Sequence, residues 1–206
     1  MKIGYIIPTL FRETLFTTIN SIFKSDINAN VFIEHGNNVA ENRNSAIQNA
    51  IKNNCDWIIF VDDDDYLLDG YLKEIDNNFD LIFLKMKRNS KVIPKNKSLA
   101  CGNFGINFCL NLKTNLNIPY FENKRCEDCI FIKTLVKNNN INYKITKDIF
   151  YIAPSINRWA KPIQKISIAN IKEKFNNIYY NVNISTLNEN RVSIFINKNT
   201  VYNNLN

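Results

Sequence analysis

Hydrophobic and polar positions along the first 86 residues follow two periods, and each period marks one kind of element. Short β-branched and aromatic runs, typical of buried strands, occur at four places. The predicted strands are Lys2–Ile7, Val31–Ile33, Trp57–Val61 and Asp80–Met86. Apolar residues at helical spacing predict helices over Thr14–Lys24 and Asn44–Asn53. Strands and helices in this alternating order predict an α/β fold with parallel strands.

The alternation weakens after residue 86, where the predicted elements are shorter and less regular. These elements are strands at Ile118–Phe121 and Ile149–Ile152, helices at Ile130–Lys137 and Ile163–Phe175, and an edge strand at Arg191–Ile196. No internal repeat or clear boundary divides the chain. We therefore predict one domain over residues 1–160, made of halves 1–86 and 87–160, with a C-terminal extension over 161–206.

Composition places the chain among soluble globular proteins. Its 206 residues are 45% hydrophobic and 22% charged. No apolar run approaches the roughly 20 residues that a membrane-spanning helix needs, and the start lacks the features of a signal peptide. These observations predict a cytoplasmic protein. Five cysteines without a sign of secretion predict unpaired thiols, and Cys126 and Cys129 lack the second pair that a zinc knuckle needs.

Charge is distributed unevenly along the chain. Residues 1–84 contain 6 basic and 13 acidic side chains, whereas residues 85–206 contain 20 basic and 6 acidic ones. Six of the basic residues and no acidic residue fall between Lys85 and Lys97. A basic region of this size predicts an anionic partner, such as a phosphorylated glycan, an acidic membrane surface or nucleic acid. A solvated loop without a partner is the alternative.

The run Asp62-Asp63-Asp64-Asp65 directly follows the predicted strand Trp57–Val61. Four consecutive carboxylates repel one another, so a positive group is expected beside them. Ligands of open α/β sheets bind at the carboxyl ends of strands. Oxygen ligands suit Mg²⁺ or Mn²⁺, with phosphate oxygens completing the coordination. The run therefore predicts a metal–diphosphate site, and a solvated acidic turn is the alternative.

Four short motifs occur in order along residues 1–140. They are Ile6-Ile7-Pro8-Thr9-Leu10, Arg43-Asn44-Ser45-Ala46-Ile47, Phe60-Val61-Asp62-Asp63-Asp64-Asp65 and Cys126-Glu127-Asp128-Cys129-Ile130-Phe131. In this order and spacing the chain resembles GT-A glycosyltransferases of family 2, and Asp62 and Asp64 fit the Asp-x-Asp signature of that family. The resemblance implies a single GT-A (Rossmann-like) domain with a mostly parallel central sheet and a small C-terminal extension.

The resemblance also implies a nucleotide-diphosphate sugar as donor, with a UDP-sugar expected. Asp64, assisted by Asp62, would hold Mn²⁺ or Mg²⁺ on the diphosphate, and Glu34 would contact the base. The remaining implied donor-binding residues are Pro8, Thr9, Arg12, Arg43, Asn44, Asp63 and Arg158. A divalent metal would neutralise the charge that develops on the leaving phosphate.

On the acceptor side, the resemblance implies that Asp128 is the general base and that the anomeric carbon is inverted. Glu127, Asp65 and Trp159 are implied as acceptor-binding residues. Ser155-Ile156-Asn157-Arg158-Trp159 partly resembles the Gln-x-x-Arg-Trp motif of processive members, with Ser in place of Gln. A core Trp beside a surface Arg is the alternative. Because processive members carry membrane spans, transfer of a single sugar is expected.

Two departures from the family pattern and several alternatives stay open. Ala46 replaces a Gly, and Glu34 replaces an Asp, which leaves the base selectivity undetermined. A glycan or glycolipid is the expected acceptor, and the basic region also allows hydroxymethylated pyrimidines of DNA. Nucleotidyl transfer is disfavoured, because the turn after the first strand lacks glycine. Outside the enzymes, a catalytically inactive nucleotide-sugar-binding module is the alternative. The sequence leaves the oligomeric state undetermined.

Overall fold

The computed structural model describes residues 1–154, 165–176, 179–188 and 190–199. The strands are β1 Ile3–Pro8, β2 Asn30–His35, β3 Trp57–Phe60, β4 Tyr66–Leu67, β5 Leu81–Arg88, β6 Lys91–Ile93, β7 Phe108–Asn111, β8 Tyr143–Ala153, β9 Tyr180–Asn188 and β10 Arg191–Lys198. The helices are α1 Thr14–Ser25, α2 Val39–Lys52, α3 Glu127–Asn138, α4 Ile168–Phe175 and a 3-10 helix at Tyr71–Glu74. Within these ranges, no helix has both the length and the hydropathy to cross a membrane.

The strands form one mixed sheet in the order β4-β8-β5-β7-β3-β1-β2-β10-β9, and β6 pairs with β5. Strand β1 runs parallel to both β2 and β3, and β5 runs parallel to β8. The remaining described pairs are antiparallel. The α/β prediction is confirmed, and the prediction of a mostly parallel sheet is wrong. The reason is that β7 returns between β3 and β5, and the β9–β10 hairpin extends the sheet from β2.

Helix α2 begins at Val39, five residues before the predicted start, because Asn38 caps it there. Asn38 is the N-cap, and its side-chain Oδ1 accepts the backbone N–H of Glu41 at 2.8 Å. This cap places the start of α2 beside the end of β2. Arg43, predicted to lie just before the helix, is therefore on its second turn.

The segment Ile118–Phe121, predicted as a strand, is not one, and no strand among the described residues pairs with it. The side chain of Asn44 replaces one, since its Nδ2 donates to the Phe121 carbonyl at 2.9 Å and its Oδ1 accepts the Phe121 N–H at 2.8 Å. The segment is thereby fixed to α2 in an extended form.

Two other predictions from the second half also need correction. Helix α4 begins at Ile168, with a capping box between Ser167 and Asn170, and residues 163–164 lie outside the described residues. Strand β10 is not at the edge of the sheet, because it pairs with β2 on one side and β9 on the other. The edge strand β9 falls in an Asn-rich segment for which the sequence pattern predicts no helix or strand.

An aromatic cluster fixes α3 against the end of the sheet. The ring of Phe131 on α3 stacks on Phe121 with centroids 4.0 Å apart, and it packs against Phe108 of β7 and Phe60 of β3 at 5.8 and 6.3 Å. All four side chains are buried. This packing places the N-terminus of α3, with Glu127 and Asp128, next to the carboxyl end of β3.

A disulfide joins Cys101 to Cys129 across 28 residues of sequence. The prediction of unpaired thiols is wrong for these two, because the chain after β6 folds back onto the first turn of α3. Cys55 and Cys109 are buried thiols, and Cys126 is an exposed one. The bridge therefore ties the segment around Cys101 to the helix that begins at Glu127.

Candidate active site

A cleft of about 260 Å³ opens where β1 and β3 end and α2 begins. Among its lining residues are eight that the sequence analysis selected: Pro8, Thr9, Arg12, Arg43, Asp62, Asp63, Asp64 and Glu127. Further lining residues were not predicted from the sequence. The turn after β2 supplies Gly36, Asn37 and Asn38, and α2 supplies Val39 and Asn42. The Gly and Asn residues of this turn are the sequence feature that could have indicated its place in the cleft. The cleft lies at the carboxyl ends of parallel strands, where open α/β sheets bind ligands.

Asp63 ties the acidic turn to the loop after β1. Its Oδ2 accepts the Thr9 hydroxyl and the Leu10 N–H, both at 2.9 Å, and its Oδ1 lies 3.0 Å from Arg12 Nη1. The same Arg12 nitrogen lies 2.9 Å from Asp64 Oδ2. Burial raises the pKa of Asp63, while the Leu10 N–H and the Arg12 charge oppose that rise. Asp63 therefore connects two segments of the site.

Tyr151 of β8 holds the other end of the acidic turn. Its buried hydroxyl donates to Asp65 Oδ2 at 2.8 Å and accepts the Asp62 N–H at 3.2 Å. Burial raises the pKa of Tyr151, so the phenol remains a proton donor. The backbone carbonyl of Asp65 also accepts the Thr18 hydroxyl at 2.6 Å. Asp65, predicted to bind the acceptor, is buried and does not line the cleft.

Arg43 joins the acidic turn to α3. Its side chain is 3% exposed, with Nη2 at 2.7 Å from Asp62 Oδ1 and Nη1 at 2.6 Å from Glu127 Oε1. Its guanidinium also lies over the Phe121 ring, 5.4 Å from the centroid. Burial alone would lower the pKa of Arg43, but the Asp62 charge and hydrogen bonds to both carboxylates raise it. The buried Arg43 guanidinium thus contacts Asp62, a predicted metal ligand, and Glu127, a predicted acceptor-binding residue.

Asp62, Asp64 and Asp65 can hold a metal ion. Each offers one carboxylate oxygen, and these oxygens lie within 4.8 Å of one another. A compact set of carboxylate oxygens fits Mg²⁺ or Mn²⁺, which prefer hard oxygen ligands and complete their coordination with phosphate or water. Asp62 and Asp64 also line the cleft, so a cation held there would face a ligand.

Asp128, the predicted general base, lies in the first turn of α3 beside Glu127. Its Oδ1 accepts the Cys129 N–H at 2.7 Å, and its Oδ2 lies 3.7 Å from where a side chain at Gly105 would begin. Burial raises the pKa of Asp128, and the charges of Glu127 and Asp62 raise it further. The Cys129 N–H and Arg43 act in the opposite direction. A raised carboxylate pKa beside a functional cleft suits a general base.

Two further predicted residues, Glu34 and Asn44, are not among the residues that line the cleft. Glu34 is 1% exposed, and its Oε1 accepts hydrogen bonds from Asn49 Nδ2 at 2.7 Å and Ser193 Oγ at 2.6 Å. Asn44 pairs with the backbone of the segment before α3, as described above. Arg158 and Trp159 lie outside the described residues. The structure thus does not bring Glu34 or Asn44 to the cleft surface.

Comparison with solved structures identifies the fold. The fragment TarS 1-349 of S. aureus in complex with UDP-GlcNAc matches with a TM-score of 0.59 and 22% sequence identity, over 76% of this chain and 59% of that chain. The same fragment with UDP matches with a TM-score of 0.59 and 21% identity, over 75% of this chain and 60% of that one. A further structure of S. aureus TarS matches with a TM-score of 0.58 and 21% identity, over 75% of this chain and 37% of that one.

These matches confirm the GT-A fold that the motifs implied, since TarS is a GT-A glycosyltransferase of family 2. The chain spans less than two thirds of the TarS fragment. No protein-family model matches the sequence, and no curated protein is significantly similar to it. The likeness therefore concerns the architecture.

We predict that Tyr151→Phe weakens metal binding by about 10- to 100-fold, the usual effect of losing a group that orients a metal ligand. The variant removes the hydroxyl that fixes Asp65 and the Asp62 N–H. Calorimetric titration with Mn²⁺ measures the affinity. Tyr71→Phe is the matched control, since Tyr71 is equally buried and its hydroxyl bonds to Tyr5, away from the turn. Equal Mn²⁺ affinity in the two variants would contradict this role.

Proposed function

We propose that the chain is a metal-dependent, inverting glycosyltransferase that moves one sugar from a UDP-sugar to an acceptor hydroxyl. The observation that carries this proposal is the Arg43 bridge. Through its two contacts, the aspartates able to hold a metal and the α3 N-terminus that carries Asp128 lie on either side of one guanidinium. The GT-A fold, and the UDP and UDP-GlcNAc bound to TarS, support a uridine nucleotide as donor.

In the proposed reaction, Asp62 and Asp64 would hold Mn²⁺ or Mg²⁺, and the metal would supply positive charge next to the departing diphosphate. Asp128 accepts the proton of the acceptor hydroxyl, whose oxygen forms a bond to the anomeric carbon. The bond between that carbon and the diphosphate oxygen breaks, and the nucleoside diphosphate leaves with the electron pair. Attack from the side opposite the leaving group inverts the anomeric carbon. Pro8, Thr9 and Arg12 line the donor side of the cleft.

The basic hairpin, which we define as β5 and β6 with their turn, supports an anionic acceptor. Of the six cations between Lys85 and Lys97, none forms an ion pair with a carboxylate that the structure describes. The hairpin adjoins the base, since a side chain begun at Gly105 would touch Met86 of β5 at 3.2 Å and Asp128 at 3.7 Å. An acceptor hydroxyl at Asp128 would therefore lie close to the hairpin that carries several of these cations.

A glycan or glycolipid carrying negative charge is the acceptor that this arrangement favours. Arg88 and Lys91 line a cavity of about 350 Å³ with Gly102, a size that suits a single charged unit. Described residues of the hairpin include no aromatic ring outside the buried Phe83, and single-stranded nucleic acid usually binds on such rings. Hydroxymethylated DNA is the second candidate, supported by the charge alone. An inactive nucleotide-sugar-binding module would lack a use for Asp128.

We predict that Asp128→Asn lowers transfer by about 10²- to 10⁴-fold, the usual contribution of a general base. Nucleotide binding should remain, because Asp128 does not line the donor cleft. Turnover of a UDP-sugar, measured as release of UDP, checks the first expectation, and calorimetric titration with UDP checks the second. Full activity in Asp128→Asn would exclude this residue as the base.

The pH profile of the wild type supplies a control for that assignment. Only the deprotonated carboxylate can take the acceptor proton, so kcat/KM should fall as the pH drops through the pKa of Asp128. Because burial raises that pKa, the acid limb should lie above the ordinary aspartate value of about 3.9. Asp128→Asn should abolish this limb in its residual activity. A limb that persists unchanged would assign the titration to another group.

We predict that Arg88→Glu/Lys91→Glu raises the KM for an anionic glycan acceptor by about tenfold or more, through loss of charge attraction. The acceptor KM should also become less sensitive to salt, whereas UDP binding should not change. Lys73→Glu/Lys133→Glu is the matched control, since both lysines are exposed and lie outside the hairpin. Equal effects from the two pairs would contradict a specific acceptor surface. Salt-sensitive binding and glycosylation of hydroxymethylated DNA would favour the second candidate.

A further inference from the structure

Three of the five cysteines lie together at the start of α3, beside the proposed general base. Cys126 is the N-cap of the helix and an exposed thiol, whereas Cys129 is 3% exposed and disulfide-bonded to Cys101. The N–H of Ile130 donates to the Cys126 carbonyl at 3.1 Å, so Cys126 belongs to the first turn of α3. Residues three apart in a helical turn are neighbours on one face. Cys129 therefore lies next to two other cysteines, its partner Cys101 and the thiol of Cys126.

The disulfide holds the acceptor segment, which we define as residues 94–107, against α3. Among the described residues, no hydrogen bond or ion pair joins this segment to the helix. The segment is attached to the sheet instead, since the Tyr143 hydroxyl donates to the Lys97 carbonyl at 2.7 Å and the buried Phe104 ring packs 5.3 Å from that of Phe83. Breaking the disulfide would therefore free the tip of the segment from α3 while its base stays on the sheet.

The acceptor segment borders both parts of the proposed acceptor side. A side chain begun at Gly105 would lie 3.7 Å from Asp128 Oδ2, and Asp128 Oδ1 accepts the N–H of the bridged Cys129 at 2.7 Å. Gly102 directly follows Cys101 and lines the cavity of about 350 Å³ at the basic hairpin. Of the described residues that line the donor cleft, none belongs to the segment and none is a cysteine. A change in the bridge would therefore act on the acceptor side and leave the donor cleft intact.

Cys126 gives the bridge a route for exchange. A disulfide breaks when a thiolate attacks one of its sulfurs, and access to that sulfur limits the rate. Cys129 is buried from external thiols, whereas Cys126 lies in the same helical turn, where a group held beside its target reacts at high effective concentration. Cys-x-x-Cys motifs are the reactive pairs of disulfide oxidoreductases. The other two thiols, Cys55 and Cys109, are buried in the core and take no part.

We propose that Cys101, Cys126 and Cys129 form a thiol–disulfide switch that controls the acceptor side of the site. The effect of the switch on transfer rests on the proposed function. In the exchange, the Cys126 thiolate attacks Cys129 Sγ, a Cys126–Cys129 bond forms, and Cys101 leaves with the electron pair and takes up the proton that Cys126 lost. A dithiol then reduces the new bond to two thiols and is itself oxidised to a cyclic disulfide. After either step the acceptor segment is no longer tied to α3.

Differential alkylation followed by mass spectrometry tests the exchange itself. The whole chain, purified without reductant, should contain the Cys101–Cys129 bridge, and mild treatment with dithiothreitol should yield a Cys126–Cys129 bridge with Cys101 alkylated. Cys126→Ser should slow reduction of the bridge by about tenfold or more, because the internal attack is lost. Cys55→Ala is the matched control and should be reduced at the wild-type rate. Equal rates in Cys126→Ser and the wild type, or absence of either bridge, would contradict the switch.

Hydrogen exchange and kinetics test the effect on the site. Reduction of the wild type, or Cys101→Ser, should speed amide exchange in the acceptor segment and lower kcat/KM for the acceptor by about tenfold or more, since small displacements of a positioning element are costly. UDP affinity, measured by calorimetry, should not change. Dithiothreitol should have no further effect on Cys101→Ser, which controls for its action elsewhere. Thermal melting establishes that the variant is folded, and the reduced wild type supplies the same measurement if it is not.

The outcomes distinguish this inference from the proposed function. Unchanged amide exchange and unchanged acceptor kinetics after reduction would overturn the switch and leave the transferase standing. Failure to turn over any UDP-sugar in either redox state would instead contradict the proposed function. In that case the alkylation and hydrogen-exchange results still decide whether the three cysteines control the position of the acceptor segment.

Discussion

Four adjacent negative charges at the end of β3 are the constraint on which the rest of the site depends. Carboxylates this close repel strongly where water is excluded, and Asp63, Asp64 and Asp65 are all buried. Side chains from three different parts of the fold compensate these charges. Arg43 of α2 pairs with Asp62, Arg12 pairs with Asp63 and Asp64, and Tyr151 of β8 donates to Asp65. The acidic turn thereby joins β1, α2 and β8 at one point.

Because of these different contacts, the aspartates of the turn differ in their roles. Asp63 accepts two further hydrogen bonds from the loop after β1, which suits a structural role. Asp62 and Asp64 face the cleft and pair with arginines, whose charge a metal ion can share or replace. Burying an ion pair is a weak source of stability, because desolvation offsets much of the attraction. Arg43 with its two carboxylates is therefore better explained by function, since it holds the metal side and α3 in fixed relation.

Local sequence was sufficient to predict the parts of the site that lie on single elements. The run Asp62–Asp65 follows a buried strand, and Asp128 begins a helix, as the motifs implied. The pairing of β10 with β2 and the position of β7 could not be predicted, because strand pairing depends on residues far apart in sequence. The alternation of side chains along β2 explains why Glu34 does not line the cleft. Successive side chains of β2 point to opposite faces, so the position of one residue along the strand decides which side chain reaches the cleft.

Other features of the structure could not be predicted from the sequence, each for a different physical reason. Asparagine is common throughout the chain, so nothing in the sequence separated Asn42 from its neighbours, and only burial beside the cleft does so. The pairing of Cys101 with Cys129 depends on a chain reversal that no local pattern encodes. Tyr151 lies 89 residues from Asp62 in the sequence, so its contact with the acidic turn follows only from the placement of β8 beside that turn.

The most direct test of the account is a thermal-shift measurement of the wild type and Asp64→Asn with UDP, with and without Mn²⁺. A ligand that binds only the folded protein raises its stability, by about 3 kcal/mol at a hundred times the Kd. The account predicts that UDP raises the melting temperature of the wild type only when Mn²⁺ is present, and that Asp64→Asn shows no such shift. A shift that is independent of Mn²⁺, or equal in Asp64→Asn, would contradict a metal–diphosphate site at the acidic turn.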